Sequence, residues 1–363
     1  MCDRTNKIIF IISFLVLTLF GLFNLYSASY YESYQVYGVH YHIILNQAIF
    51  TLLGYFLIFV IYLIPYWFIK KLSIFAYVVS IVLMLLTSFT SMGVTIYGAT
   101  RWINLPFIGT LQPSEILKFS SILLLSYVLT SQLSDKYKYS IAISSVVLGL
   151  VLILIQRAYS TTILYFLTTF TIFVVAGINI KKLIIAILFI FPLAIAVLLL
   201  APYRILRVAG FLFPSLDPMG ANYQINRSLA AIKEGGIFGK GFLNGEYKLG
   251  LLPKVHNDFI FSSIVEELGV VGPLFIIAVF LLFAFTTLRA CSSNDNEYEN
   301  LVSSGIVFMI LIQLMINISI AVGFAPATGI PMPFFSQGGT NLLIIIAECA
   351  LLFKVVFKKH EKI

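Results

Sequence analysis

The chain has 363 residues, 60% of them hydrophobic and only 10% charged, with a mean hydropathy of +1.01. This excludes a soluble globular domain and reads as an all-α polytopic membrane protein. The formal charge of +8 does not point to nucleic acid, because the lysines sit in short clusters between apolar runs, as topology signals do.

A spanning helix needs about 20 mostly apolar residues, and about ten candidates appear. In chain order they are 8–29, 43–65, 71–92, 114–131, 139–156, 160–178, 182–201, 259–288, 301–324 and 340–357. Arg4 and Lys7, Lys70-Lys71, Lys136 and Lys138, Lys181-Lys182, and the group Lys354, Lys358, Lys359 and Lys362 then fall on one side. By the positive-inside rule both termini are cytoplasmic. The 289–300 loop is a partial exception, since Arg289 is joined there by Asp295, Glu297 and Glu299. Cys2, Cys291 and Cys349 show no metal or redox spacing, and none falls in an external loop, so no disulfide is expected. No repeat or soluble domain is visible, and 1–363 reads as one transmembrane domain.

Three features are left on the outer side: the loop 93–113, a large loop 202–258 between the seventh and eighth helices, and a Pro/Gly-rich segment 323–339. The large loop sets Arg204, Arg207, Arg227, Lys233, Lys240, Lys248 and Lys254 against Asp217, Glu234, Glu246 and Asp258, seven minus four, or +3. Basic residues in an exported loop oppose the topology rule. Either an anionic ligand such as a phosphate or anionic lipid headgroups would account for them.

Several motifs could carry chemistry. Gln112-Pro113-Ser114-Glu115-Ile116-Leu117-Lys118 opens the fourth helix, and Glu115 and Lys118 share a face at i,i+3. That pair is either structural and pocket-shaping or catalytic. Within 222–258, Gly235-Gly236, Gly239, Gly241, Gly245 and Gly250 alternate with Lys233, Lys240 and Lys248. This allows a phosphate cradle but matches no standard fingerprint, and a flexible external loop fits as well. Asp258 stands beside His256 where this loop meets an apolar helix. It suits both the N-cap of a helix starting at Phe259 and a general base. Glu266 and Glu267 follow about 12–14 Å deeper along that helix, as a buried packing pair or as catalytic groups. The segment 323–340 carries three prolines and four glycines, cannot continue a helix, and reads as a re-entrant wall of a site. Gln313 and Asn317, at i,i+4, can hydrogen-bond into it.

Taken together, these motifs resemble the SEDS family (shape, elongation, division and sporulation). The resemblance rests on Tyr26-Ser27-Ala28-Ser29, Gly98-Ala99-Thr100-Arg101-Trp102, Gln112-Pro113-Ser114-Glu115 with Lys118, and Tyr223-Gln224 with Ser228. It continues through Gly235 to Gly241, Leu252-Pro253, His256 to Phe261, Glu266 to Gly269, and Pro331 to Ser336 with Gly338-Gly339. It implies a ten-helix peptidoglycan glycosyltransferase of the bacterial cytoplasmic (inner) membrane, with its active site facing outward. Such a protein polymerises lipid II with a class B penicillin-binding transpeptidase, within the divisome or elongasome. It further implies undecaprenyl diphosphate-linked glycan as donor, a divalent cation (Mg or Mn) as cofactor, and Asp258 as the catalytic residue of an inverting transfer.

Arg101, Lys118, Arg204, Arg207, Lys240 and Lys248 are then the candidates to hold the diphosphate. Glu115, Gln224, His256 and Ser336 complete the substrate-binding set. The compact N-terminus and the Tyr-rich segment 30–42, read as an outer loop, lean toward the division-type members. The chain also departs from the family pattern. Ala158 stands where a carboxylate is usual after the fifth helix, Lys254 where Glu is usual, Tyr97 for Asn, Gln337 for an aromatic, and Thr340-Asn341 for Ser-Ser. Two other readings stay open: a transporter or flippase of the lipid-linked precursor, and a catalytically weak scaffold of the division or elongation complex.

Overall fold

The computed structural model describes residues 2–96, 99–105, 109–179, 181, 221–327 and 329–358. The expected seventh span, the first part of the large loop, and both Arg204 and Arg207 lie outside these residues. The described chain is all-α apart from one small sheet. Its order is α1 (Cys2–Tyr37), α2 (His42–Leu63), α3 (Tyr66–Phe89), β1 (Gly93–Ile96), β2 (Ala99–Leu105), β3 (Gly109–Leu111), α4 (Pro113–Leu129), α5 (Asp135–Ile155), α6 (Tyr159–Val175), α7 (Ala221–Gly235), α8 (Ile260–Leu268), α9 (Val271–Ser292), α10 (Glu297–Ala321) and α11 (Gly339–Phe357). Among the described residues, seven helices are long and apolar enough to cross a membrane, namely α1, α2, α3, α5, α9, α10 and α11. The shorter α4 carries the Glu115–Lys118 pair and is almost wholly enclosed by its neighbours.

Small side chains let the helices approach closely, as membrane packing requires. A Cβ on Gly54 of α2 would stand 2.6 Å from Ile346 Cδ1 of α11, and one on Gly149 of α5 would stand 2.3 Å from the Tyr165 hydroxyl of α6. Hydroxyl pairs cross-link the bundle where no water competes. Ser73 meets Tyr298 at 3.0 Å, Ser120 meets Ser80 at 2.9 Å, and Ser121 meets Tyr165 at 3.0 Å. At the end opposite Asp258, Lys354 of α11 donates to the carbonyls of Ile61, Tyr62 and Ile64. It therefore caps the C-terminus of α2, where a cation is favoured.

Four local expectations are corrected. Within the segment expected to be a loop, β1, β2 and β3 form a three-stranded antiparallel sheet, paired Gly93↔Ile103 and Ile103↔Leu111, with a bulge between Val94 and Thr95. The Tyr-rich stretch 30–42 is helical as far as Tyr37. Tyr30 and Tyr34 stack on His40 at 3.9 and 4.5 Å, and Tyr37 stacks on His42 at 3.9 Å. Ser33 Oγ accepts from the His42 and Ile43 amides, satisfying donors that open α2. Inside the large loop, Ala221–Gly235 is a helix with Asn222, Ile225, Ser228 and Ala231 buried at i,i+3 spacing.

The fourth correction concerns the expected eighth span, which is two helices broken at Gly269 (φ +66°). The chain at 236–237 enters that break, and its carbonyls accept from Val270 N at 3.0 Å and Val271 N at 3.5 Å.

Candidate active site

The turn 254–258 is the centre of the site. It leaves a π-type turn, Tyr247–Leu251, and tightens at Lys254, whose φ is +54°. Asn257 N closes it on Lys254 O at 3.0 Å. Three consecutive carbonyls then find donors on other elements. His256 O accepts from Gln337 N at 2.9 Å, Asn257 O from Ser336 Oγ, and Asp258 O from Asn317 Nδ2 at 3.0 Å. Asn317 also donates to Ile330 O at 2.8 Å, and Gln313 to Pro331 O at 2.9 Å. The two polar residues of α10 therefore brace the segment 323–339 as their spacing predicted.

Ser336 is buried and accepts from Met332 N at 2.8 Å while it donates to Asn257. The structure makes it a brace for the turn. Gln47 of α2 holds the same segment, donating to Ser336 O at 3.3 Å and accepting from Gly338 N at 3.2 Å. No signal in the sequence singled out Gln47.

With its main chain fixed, Asp258 holds a half-buried carboxylate. Gly329 (φ +74°) lies beneath it, and a Cβ there would stand 3.5 Å from Asp258 Oδ2. Glycine thus serves both the left-handed backbone and the close approach. The N-cap position expected for Asp258 is corrected by one residue, because Phe259 stands at the N-cap of α8.

His256 is 3% exposed. Burial lowers its pKa to about 4, and the charge of Lys254 adds to the effect. Glu32 Oε2 of α1 lies 3.2 Å from Nδ1, which taken alone would favour the imidazolium. The contact is not aligned as a hydrogen bond, so burial dominates and the ring is neutral at pH 7.

The glycine-rich segment answers a different need from the one its lysines suggested. A Cβ on Gly235 would stand 2.1 Å from Val265 O, and one on Gly239 would stand 2.2 Å from Glu267 O. Lys240 N and Gly241 N donate to Glu266 O and Glu267 O, both at 2.9 Å. The amides of Lys240 and Gly241 are thus bonded to α8, and the glycines from Gly235 to Gly241 serve backbone-on-backbone packing in place of a phosphate cradle at these positions.

The carboxylates of α8 are equally engaged. Glu266 accepts from the amides of Glu246, at 2.6 Å, and Tyr247. Glu267 pairs with Lys248, and Ser27 of α1 donates to Glu267 at 2.6 Å and accepts from Lys248 at 2.6 Å. Lys248 and Glu267 side chains are each 2% exposed, so Lys248 is placed as a buried structural cation rather than a diphosphate ligand. Lys240 contacts Glu234, Glu246 and Glu266 at 2.5, 3.3 and 3.5 Å. These bonds, Glu234 foremost, raise its pKa, and Lys240 lowers that of Glu234. The basic excess expected of this region is therefore largely neutralised for these two lysines.

The remaining candidates stand in other places. Lys118 pairs with Glu115 at 2.7 Å, enclosed by the bundle, and acts electrostatically on Glu348 of α11, a buried carboxylate the sequence reading passed over. Arg101 of β2 donates to Arg157 O. It thereby joins the sheet to the α5–α6 turn, where Ala158 is the N-cap residue and offers no side-chain acceptor. Gln224 lies half-buried on α7. Among the described residues, no group of three His, Cys, Asp or Glu side chains is close enough to hold a metal ion.

A family model described as a cell cycle protein, covering FtsW, RodA and SpoVE, matches residues 7–361. This chain belongs to the FtsW/RodA/SpoVE family. It is 34% identical over 355 residues to a probable peptidoglycan glycosyltransferase FtsW of Borreliella burgdorferi, covering 95% of each chain. It is 31% identical over 354 residues to stage V sporulation protein E of Bacillus subtilis, covering 96% of each. The fold is shared with a chain of a peptidoglycan synthase complex that coordinates polymerisation and crosslinking, at a TM-score of 0.78 and 23% identity over 96% of both chains. It is also shared with the rod shape determining protein RodA of Thermus thermophilus, at 0.71 and 20% over 96% and 97%. This membership accounts for the order of motifs from Tyr26 to Gly339 along one chain.

Proposed function

We propose that this FtsW/RodA/SpoVE-family protein is a peptidoglycan glycosyltransferase. In this reading it polymerises lipid II at the outer face of the bacterial cytoplasmic membrane, with both termini inside, beside a class B penicillin-binding transpeptidase. The division role is favoured, because several relatives at about this similarity are named FtsW. The observation that carries the assignment is Asp258. It is a half-buried carboxylate on a turn whose carbonyls are fixed by three separate donors, above a backbone kept open by Gly329. A fixed base is what proton abstraction requires, since a misplacement of about 1 Å can cost about 100-fold in rate.

Asp258 takes the proton of the GlcNAc 4-hydroxyl on the acceptor lipid II. The freed oxygen attacks C1 of MurNAc on the donor from the face opposite its diphosphate, the C1–O bond breaks, and undecaprenyl diphosphate departs with the electron pair. Configuration at C1 inverts. Charge on the leaving group rises in the transition state and calls for nearby cations. Arg101, on the sheet beside the α5–α6 turn, is one candidate, and Arg204 and Arg207 are the others. Neutral His256 lines the turn without adding positive charge.

The test is lipid II polymerisation by the purified protein with its transpeptidase partner, comparing wild type with Asp258→Ala. Polymer from wild type only is the expected outcome. Equal polymer from both removes Asp258 from the chemistry. No polymer from either, with both proteins folded, moves the function to transport or scaffolding.

A further inference from the structure

At about 1.5 Å per residue, the 36 residues of α1 span about 54 Å, well beyond a hydrocarbon core of about 30 Å. Its last turns therefore stand clear of the membrane as a post. That post is stiffened by the stacked Tyr30, Tyr34 and His40 and by the Ser33 cap on α2. Three side chains on it meet the segment leading to Asp258 in succession. Ser27 bonds Lys248 and Glu267. The Tyr31 ring lies against Gly250, 3.5 Å from where a Cβ would be. Glu32 reaches the Nδ1 of His256 at 3.2 Å. Lys254 acts electrostatically on both Glu32 and His256. Nδ1 of His256 is buried and makes no hydrogen bond among the described residues, although its environment places a carboxylate beside it.

We infer that Glu32 is a positioning residue of the active site, holding His256 and Lys254 from α1 so that the turn carrying Asp258 keeps its geometry. The turn is gripped on its main-chain side by Gln337, Ser336 and Asn317, and Glu32 supplies the grip on its side-chain side. A carboxylate accepting from Nδ1–H also fixes the neutral tautomer of the ring, leaving Nε2 with its lone pair. A small rotation of Glu32 or the ring aligns this bond, as happens when apo sites tighten around substrate. The inference rests on the proposed function for its catalytic consequence but not for the anchoring itself.

Hydrogen exchange and polymerisation, both on the full-length protein with its partner, separate these two parts. In Glu32→Ala, amides of 254–258 should exchange about tenfold faster, as a loosened local unit does. The kcat should fall about tenfold with KM within about twofold, because orientation rather than binding is lost. Glu32→Gln keeps an acceptor oxygen and should stay within about threefold of wild type in both. Lys254→Glu should loosen the turn by setting a like charge near Glu32, and adding Glu32→Gln, which removes that charge while keeping an acceptor for His256, should restore protection, which simple loss of folding would not do. Exchange at 254–258 within about twofold of wild type in Glu32→Ala overturns the inference. So does faster exchange with unchanged kcat in a chain whose Asp258→Ala variant is inactive. Should Asp258→Ala polymerise like wild type while Glu32→Ala still loosens the turn, the anchoring stands and the assignment of Asp258 falls.

Discussion

Replacing Lys248 by methionine gives the sharpest contrast between the two roles open to this lysine. As a diphosphate ligand, Lys248 would be lost with a rise in KM and little change in stability. The structure instead buries its ammonium against Glu267, with Ser27 bridging the two and three elements meeting there. Lys248→Met leaves the Glu267 carboxylate enclosed with the Ser27 hydroxyl as its remaining side-chain donor among the described residues. Breaking a buried pair in this way costs about 3–5 kcal/mol. Replacing both partners, as in Lys248→Met with Glu267→Leu, removes the stranded charge and should recover most of that loss, a coupling of about 2 kcal/mol or more. Equilibrium unfolding in a fixed detergent, with the four proteins of the cycle side by side, reads these values. A cost under about 1 kcal/mol for Lys248→Met, or a double variant as unstable as the sum of the singles, refutes the structural role of the pair. A rise in KM with unaltered stability would return Lys248 to the substrate.

Two further outcomes follow from the same geometry. Gly269→Ala meets Ile237 O at 2.0 Å in a backbone at φ +66° and should prevent stable folding, whereas Gly236→Ala, at φ +54° with open space around it, should cost about 1–2 kcal/mol of backbone strain; expression and unfolding midpoints distinguish them, and equal losses refute the close packing at Gly269. Because His256 is held neutral down to about 4, an unfolded chain binds a proton below about 6.5 that the native one refuses. Stability should therefore fall with decreasing pH from about 6.5 to about 4, by up to about 1.4 kcal/mol per unit. The difference between wild type and His256→Gln, measured across that window, should narrow or reverse as the pH drops, and parallel curves count against a buried neutral ring.

What the sequence disclosed and what it concealed divide along the range of the interactions involved. The junction at His256 and Asp258 was legible because polar groups at a membrane boundary are costly unless they are used. Gln313 and Asn317 were legible because two amides at i,i+4 in an apolar helix need a common partner. The break at Gly269 was missed although Gly269, Gly272 and Pro273 follow one another there, because the apolar run continues across them and the contact that fixes the break comes from the chain at 236–237. Glu32 was hidden for a similar reason. The stretch around it reads as an aromatic loop until His40 and His42 stack back on its tyrosines. The helix Ala221–Gly235 was obscured because its buried stripe includes Asn222, Ser228 and Ala231, small or polar residues that carry little hydrophobic signal.

The deepest misreading joins these cases. Gly235 to Gly241 looked like a phosphate cradle and Glu266 to Gly269 like a separate acidic pair. Yet Gly235 and Gly239 are shaped to the carbonyls of Val265 and Glu267, and Gly269 is shaped to that of Ile237. The two motifs are opposite faces of one packing unit. Beyond the unit, the buried Lys248–Glu267 pair ties α8 to the stretch that runs on through Gly250 to the Asp258 turn, and Ser27 ties both to α1. The glycines, the paired carboxylates and the α1 post therefore serve the same end. They fix the approach to a single carboxylate, and chemistry that depends on where that carboxylate stands would require such a scaffold.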